Sequence, residues 1–187
     1  MSYPTIEQVK HYLGIDTSAE DALLTELLMR SVSIIESSTG RTFTAKRDTR
    51  FFGVDRIYGR DLMFWDNDLL EVEELLNGDG EAIEAKYFVL LPRNESPKWG
   101  VRLKSGAHWD VPIDGEIAVT GLWGYSETPP DDIVHATVRL TAFLYRQKDT
   151  SADVDRPIVT GDGVTIMPTG VPSDVKALVN KYRKVVP

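Results

Sequence analysis

The chain has 187 residues, of which 42% are hydrophobic and 27% are charged, and its formal net charge is −8 at pH 7. That length suffices for one or two hydrophobic cores. The negative charge opposes tight binding to nucleic acid or to anionic membranes. The chain has no cysteine, which excludes disulfides, thiolate zinc sites and cysteine nucleophiles.

Two further features bear on location. No apolar run approaches the roughly 20 residues that a membrane span needs. The opening residues, MSYPT, lack the basic and apolar regions of a signal peptide, so we expect the protein to be made in the cytoplasm.

The first predicted helix covers residues 5–13. Thr5 and Gln8 have the spacing of a capping box, in which each side chain accepts a hydrogen bond from the backbone of the other. Gly14 follows the last apolar residue and is predicted to end the helix.

The second predicted helix covers residues 19–38, with a capping-box pattern from Thr17 to Glu20 and a glycine, Gly40, at its end. Its apolar stripe is too wide for one contact, so we expect it to pack on two partners. The second partner is either another part of the same core or another subunit. The candidate residues for a subunit interface are Leu24, Leu28 and Val32.

From residue 41 to residue 125 the apolar pattern changes to a period of two, which is typical of strands. Alternation begins at residues 42–47, and later strand candidates are residues 61–65, 70–76, 82–85, 87–91, 101–104 and 116–122. The run Asn77-Gly78-Asp79-Gly80 predicts a hairpin turn, because asparagine and glycine tolerate positive φ angles.

A third helix is predicted over residues 131–147, with Thr128 as its cap and two acidic residues in its first turn. Residues 153–171, rich in glycine and proline, read as an extended linker. A short helix over residues 173–184 closes the chain. These elements predict an α+β fold, with a helical core built from the N- and C-terminal helices, a large antiparallel β insert and an extended C-terminal helical tail.

This fold has four predicted segments. They are the N-terminal helices of the core (1–40), the β-rich insert (41–126), the C-terminal core helix (127–149), and a flexible linker with a terminal docking helix (150–187).

The terminal helix is too short to be stable alone and has a narrow apolar stripe with a basic end. We expect it to dock on a partner, with residues 153–187 mobile in the free protein and fixed in an assembly. The alternative is that it packs on its own subunit. The candidate docking residues are Val175, Leu178, Val179, Tyr182, Arg183 and Lys184.

No motif specifies a catalytic, cofactor or metal site. The three histidines, His11, His108 and His135, lack the spacing of metal ligands. The acidic residues between positions 66 and 74 lack the pattern of a calcium loop, which favours a solvated strand face. The aromatic residues of the β region fit the core of a small sheet better than an exposed binding platform.

Several segments resemble the head–tail connector proteins of tailed bacteriophages, the adaptor or head-completion family. The resemblance lies in the order of these segments. They are the opening helix TIEQVKHYLGI (5–15), the run DALLTELL (21–28) with IIESSTGR (34–41), the run GY (124–125) with PPDDI (129–133), and the closing segment from Val171 to Arg183. The chain departs from the family's smaller members in the middle, where residues 41–125 replace a short hairpin.

This resemblance implies a structural virion protein with no catalysis and no cofactor. It implies a ring, dodecameric in the family, that sits under the portal protein at the head–tail neck and receives a downstream tail or stopper protein. Genomic DNA would pass through the channel without specific binding. The chain's net negative charge suits such a channel.

Two alternatives to this assignment remain open. One is another neck or tail-completion subunit. The other is a β-rich carbohydrate-binding module, which exposed aromatic residues would support and buried ones would not.

Overall fold

The computed structural model describes residues 3–112, 115–148, 158–159, 165–166 and 171–184. The fold is α+β, as predicted. Its helices are α1 (Ile6–Leu13), α2 (Asp21–Thr39), α3 (Asp131–Gln147) and α4 (Ser173–Asn180). Its strands are β1 (Lys46–Phe52), β2 (Ile57–Tyr58), β3 (Asp61–Met63), β4 (Leu69–Leu76), β5 (Phe88–Leu91), β6 (Gly100–Leu103), β7 (Ile117–Trp123), β8 (Ile158–Val159) and β9 (Thr165–Ile166).

The chain divides into two compact units. The first unit comprises Met1–Thr39 and Pro130–Arg183, and the second comprises Gly40–Pro129 and Lys184–Pro187. The first unit holds all four helices, and the second holds β1 to β7.

The ends of the helices partly follow the sequence signals. Helix α1 has the predicted capping box: the Gln8 amide donates to Thr5 Oγ1 at 3.3 Å, and the Thr5 amide donates to Gln8 Oε1 at 2.8 Å. Gly14 ends α1 with a φ of 72°, a left-handed conformation that glycine adopts without strain.

Two predicted caps are wrong. Helix α2 begins at Asp21 rather than at residue 19, and the carboxylate of Glu20 instead accepts a hydrogen bond from Lys148 Nζ at 2.6 Å. Helix α3 begins at Asp131 after Pro130, which has no side chain that can cap, so Thr128 is not the cap. The two acids at the start of α3 remain favourable at the positive end of its dipole.

Helix α3 contacts the other three helices of the first unit, α1, α2 and α4. Its buried face includes Ile133 and Leu140, both fully buried. Against α1 and α2 it contributes Val138 to a cluster with Val9 and Leu24.

The second unit contains a three-stranded antiparallel sheet in the order β1-β7-β4. The central strand β7 is largely buried and contributes Trp123 to the core. At Gly121 on β7, a Cβ atom would collide with the carbonyl oxygen of Glu71 on β4. The two strands therefore approach so closely that only glycine fits at this position.

A four-stranded antiparallel sheet in the order β2-β3-β6-β5 completes the second unit. One core serves both sheets. It includes Phe52 and Trp123 from the first sheet and Leu62 and Val101 from the second, and Phe64 packs between them with its ring centroid 5.0 Å from that of Phe52 and 5.1 Å from that of Trp123.

Most predicted strands form within two residues of their expected positions, with two differences. Residues 82–85 were expected to form a strand, but Ala82 makes only a single bridge to Leu76. The first strand was expected near residues 42–47 and lies at Lys46–Phe52 instead. The predicted turn forms, and Gly80 donates to the carbonyl of Asn77 at 2.9 Å with a φ of 87°.

Within the predicted linker, β8 and β9 pair antiparallel, with Ile158 opposite Ile166. The prediction that residues 153–187 are mobile in the free protein falls largely outside the described residues.

Candidate interaction surfaces

Helix α4 packs on α3 and α2 of its own unit. Val175 and Val179 are 1% and 6% exposed. The alternative, packing of α4 on its own subunit, describes these two residues in the single chain, and docking of the helix on another protein stays a prediction. Burial of the stripe stabilises a helix of 8 residues that would not persist alone.

The other tail candidates lie at the edge of this contact. Leu178 and Tyr182 are half-buried, and Arg183 is exposed. A bidentate contact from the Arg139 guanidinium to Asp174 Oδ2, at 2.9 and 2.6 Å, fixes the first turn of α4 on α3. Hydrogen bonding to Arg139 holds the pKa of Asp174 below its usual value.

The three interface candidates on α2 separate by burial. Leu24 is fully buried in the cluster with Val9 and Val138, so it has no surface to offer another subunit. Leu28 packs against the same cluster and is half-buried, as is Val32. The apolar residue of α2 that is most exposed is Met29, at 66%.

The last candidate, Lys184, lies in the second unit with Arg41 and Asp68. The Arg41 guanidinium donates to Asp68 Oδ1 at 2.7 Å, and the Lys184 ammonium donates to the same oxygen at 3.0 Å. Burial lowers the pKa of Lys184, and the charge of Asp68 opposes that shift. One buried carboxylate thus pairs with two half-buried cations within the second unit.

These three charged residues help to line a cleft of about 470 Å³ in the second unit. Trp65, Trp99 and Met63 are among its lining residues. Trp65 is stacked on Tyr58 at 5.2 Å between ring centroids. Trp99 and Tyr58 are 41% and 50% exposed, while the buried aromatic side chains among the described residues are Phe43, Phe52, Phe64 and Trp123.

The edges of the three-stranded sheet differ in charge. Lys46 and Arg47 are exposed on β1, while Glu71 and Glu74 are exposed on β4. Arg47 Nε reaches across the sheet to Glu73 Oε1 at 2.8 Å. In the described part of the chain, Lys46, Glu71 and Glu74 make no ion pair. The sequence predicts a solvated strand face for the acidic residues. It does not predict the opposite charge on β1, because the two edges are defined only by the pairing of β1 and β4 with β7.

The described residues contain no cluster of three or more potential metal ligands. His11 and His135 are exposed on helices and His108 is exposed in a loop. None of the described helices combines the length and hydrophobicity that a membrane crossing requires.

Comparison with known proteins assigns the family. A family model described as head completion protein matches residues 4–185, nearly the whole chain. The chain belongs to the head completion protein family. The resemblance seen in the helical segments at both ends therefore extends through the β insert of this head completion protein. Among curated proteins, no match is found.

Solved structures from gene transfer agent (GTA) particles share the fold of this head completion protein. A chain in the neck of an empty GTA particle, computed with C6 symmetry, superposes with a TM-score of 0.66 at 20% identity, over 97% of this chain and 90% of that one. A chain in the virion of a native GTA particle gives 0.64 at 20% identity, over 99% and 93%. A chain in the neck of a native particle, computed with C12 symmetry, gives 0.61 at 20% identity, over 96% and 88%.

Proposed function

We propose that the protein is a structural subunit of the neck of a tailed, phage-like particle. Copies form a ring under the portal protein, extend the DNA channel and receive a downstream tail or stopper protein. The observation that carries this proposal is the extent of the fold match: it covers 97% of the chain, so the helical unit and the β unit occur together in a neck protein. Membership of the head completion family supports the same function.

A ring of twelve copies is the proposed assembly. Two of the similar neck structures were computed with sixfold and twelvefold symmetry, and both are compatible with such a ring. The subunit is made in the cytoplasm of the host and ends in the virion. Its role is structural, with no catalysis and no cofactor.

The proposed channel is inert toward DNA. A net charge of −8 per subunit repels the phosphate backbone, so genomic DNA slides through without specific contacts. We expect no measurable affinity of the isolated protein for duplex DNA at physiological salt. Tight, salt-sensitive binding would contradict the inert channel.

The carbohydrate-binding alternative is not favoured by the aromatic residues. Phe43, Phe64 and Trp123 are at most 2% exposed and fill the core. A sugar platform needs exposed ring faces, and Tyr58 and Trp99 are the most exposed aromatic rings of the β unit apart from Phe51. The remaining alternative, another neck or tail-completion subunit, differs in the protein that it binds.

The test is to measure mass and shape in solution at several concentrations, alone and with purified portal rings. We expect a ring of twelve copies that binds the portal, seen as a single added layer by electron microscopy. The control is a portal ring incubated with an unrelated acidic protein of similar size. Binding to tail components without binding to the portal would instead assign the chain to the tail-completion class. A monomer that binds neither would contradict the proposal.

A further inference from the structure

The two outer strands of the three-stranded sheet run in the same direction. Strands β1 and β4 each pair antiparallel with β7, so they are parallel to one another. Their residues can therefore be compared row by row across the sheet. Arg47 and Glu71 both pair with Leu122, Thr49 and Glu74 both pair with Thr120, and Phe51 and Leu76 both pair with Ala118.

The rows place side chains of complementary chemistry at the same height on opposite edges. At one end of the sheet, basic Arg47 is level with acidic Glu71. At the other end, Phe51, which is 61% exposed, is level with half-buried Leu76. If a second copy is placed beside the first in the same orientation, its β4 edge meets the β1 edge with basic Arg47 opposite acidic Glu71.

We propose that neighbouring copies of this chain associate head-to-tail through these edges, with Arg47 of one copy against Glu71 of the next. The inference rests on the proposed function, because a ring requires a contact between two different surfaces of the same chain. In the assembly, a second copy of the chain covers each of these two edges.

The charges favour this contact over a symmetric one. A pair of β4 edges would bring Glu71 and Glu74 of one copy against the same carboxylates of its partner, and like charges directly opposite each other destabilise a sheet contact. The head-to-tail contact removes that repulsion and gives Glu71 an ion-pair partner, which it lacks within the described residues of one chain. The pair between Arg47 and Glu73 shows that such side chains reach each other over the outer face of a sheet strand.

Side chains, rather than a continuous backbone ladder, make the contact. The outer edge of β4 is already paired near both ends: Leu69 exchanges hydrogen bonds with Lys98 at 3.0 and 2.7 Å, and the Leu75 carbonyl accepts from the Ile83 amide at 2.8 Å. The strand also shifts register between Leu69 and Glu71 and again between Val72 and Glu74. Such irregular edges resist the addition of another strand.

Because the chain has no cysteine, introduced cysteines report only the designed contact. The double variant Arg47→Cys/Glu71→Cys is oxidised under ring-forming conditions, with portal rings present. Within one chain the two positions are two strand spacings apart, roughly 9–10 Å, which exceeds the ~7 Å that a disulfide can bridge. We expect a ladder of covalent multimers. In the control, Lys86→Cys replaces Glu71→Cys, since Lys86 is equally accessible but lies off both edges, and no ladder forms.

Charge reversal provides a second, independent test. Lys46→Glu/Arg47→Glu and Glu71→Lys/Glu74→Lys should each raise the concentration needed for half-assembly by about tenfold or more, because each makes both edges alike in sign. An equimolar mixture of the two variants should assemble as wild type does, with the variants alternating round the ring. Lys86→Glu, a charge reversal at an exposed position off both edges, is the control for the change in net charge. Circular dichroism of each variant checks that it is folded.

The results of these tests distinguish the proposed contact between subunits from the proposed neck function. Rings measured by mass that never give Arg47–Glu71 cross-links, or that tolerate both charge reversals, would overturn this contact and leave the neck function intact. Dimers formed by Arg47→Cys alone would show a symmetric contact instead, and would also overturn it. If neither rings nor cross-links form with portal present, both proposals are wrong.

Discussion

The hydroxyl of Thr141 on α3 lies 3.0 Å from the hydroxyl of Ser31 on α2, and both residues are fully buried. Ser31 donates its own proton to the carbonyl of Leu27 at 2.8 Å and accepts from Thr141, whose hydroxyl proton is shared with the carbonyl of Thr137 at 2.8 Å. Two small hydroxyl residues at this point let the two helices approach closely and join them with a hydrogen bond in the interior of the first unit.

Replacing Thr141 with valine keeps the shape of the side chain and removes the hydrogen bond. We expect Thr141→Val to lower the free energy of unfolding by about 0.5–1.5 kcal/mol, measured by urea denaturation with the helical circular dichroism signal. The control is Thr25→Val on the exposed face of α2, which should change stability by less than about 0.5 kcal/mol. Equal effects of the two variants would show that the bond between helices contributes nothing.

Truncation of the core face of α2 should be costly. Leu27 is 7% exposed, and Met29, two residues further on, is 66% exposed. Leu27→Ala removes buried methyl groups and leaves a cavity, so we expect a loss of about 2–5 kcal/mol. Met29→Ala should be nearly neutral in the same thermal melts. A near-neutral Leu27→Ala would mean that this stripe is covered only in an assembly.

The tail helix should stabilise the isolated subunit. Val179→Asp places a carboxylate where the side chain is 6% exposed, so we expect a loss of more than about 2 kcal/mol. Ala177→Asp, at an exposed position of the same helix, is the matched control. Deleting the residues after Gly170 should likewise lower the melting temperature of the free protein. If that truncated protein melts as wild type does but no longer assembles, the helix acts on a partner rather than on its own core.

Acid should weaken the second unit through Asp61. Its two carboxylate oxygens accept from Arg102 Nε and Nη2, both at 2.6 Å, and this hydrogen bonding lowers the pKa of Asp61. A carboxyl whose pKa is lower in the folded state contributes stability that is complete above its unfolded pKa and is lost as pH falls through the folded pKa.

Asp61→Asn should therefore be less stable than wild type at neutral pH. The difference should shrink as pH falls from the usual range of an aspartate through the lower folded-state pKa of Asp61, which denaturant titrations at acidic pH would follow. Asp16→Asn, at an exposed position, serves as the control. A difference that stays constant with pH would show that the loss comes from packing and not from the ion pair.

The helices were the most predictable elements. The bounds of α3 match the prediction because a long amphipathic period, two prolines before it and two acids in its first turn all indicate the same start. The start of α2 was predicted less well, because the capping-box spacing at Thr17 is satisfied in sequence while Glu20 pairs with Lys148, far away in the chain. A local sequence pattern does not show whether a side chain forms an ion pair with a residue far away in the chain.

The apolar periodicity of the sequence does not predict the position of strand β1. Its sequence KRDTRFF has five polar residues in a row, and only Phe52 is buried. An edge strand with two solvated faces needs no alternation, so periodicity does not reveal it. The opposition of its charges to those of β4 arises only because β7, from a distant part of the sequence, lies between them.

The surface on which α4 packs could not be predicted from the sequence either. The stripe of Val175 and Val179 correctly indicates that α4 is covered on one side. A stripe does not specify the covering surface, because α3 and a groove on another protein would select the same apolar residues. The choice between them required the positions of the other helices.

The close approach at Gly121 has a practical consequence for mutational scans. Any side chain at this position must push β4 away from β7, and the carboxylate-bearing edge of the sheet moves with it. A scan that scores variants by the yield of finished particles would record substitutions at position 121 as harmful. A residue that contacts a neighbouring subunit would give the same result. Because Gly121 is interior, solubility and melting of the lone subunit would distinguish the two causes.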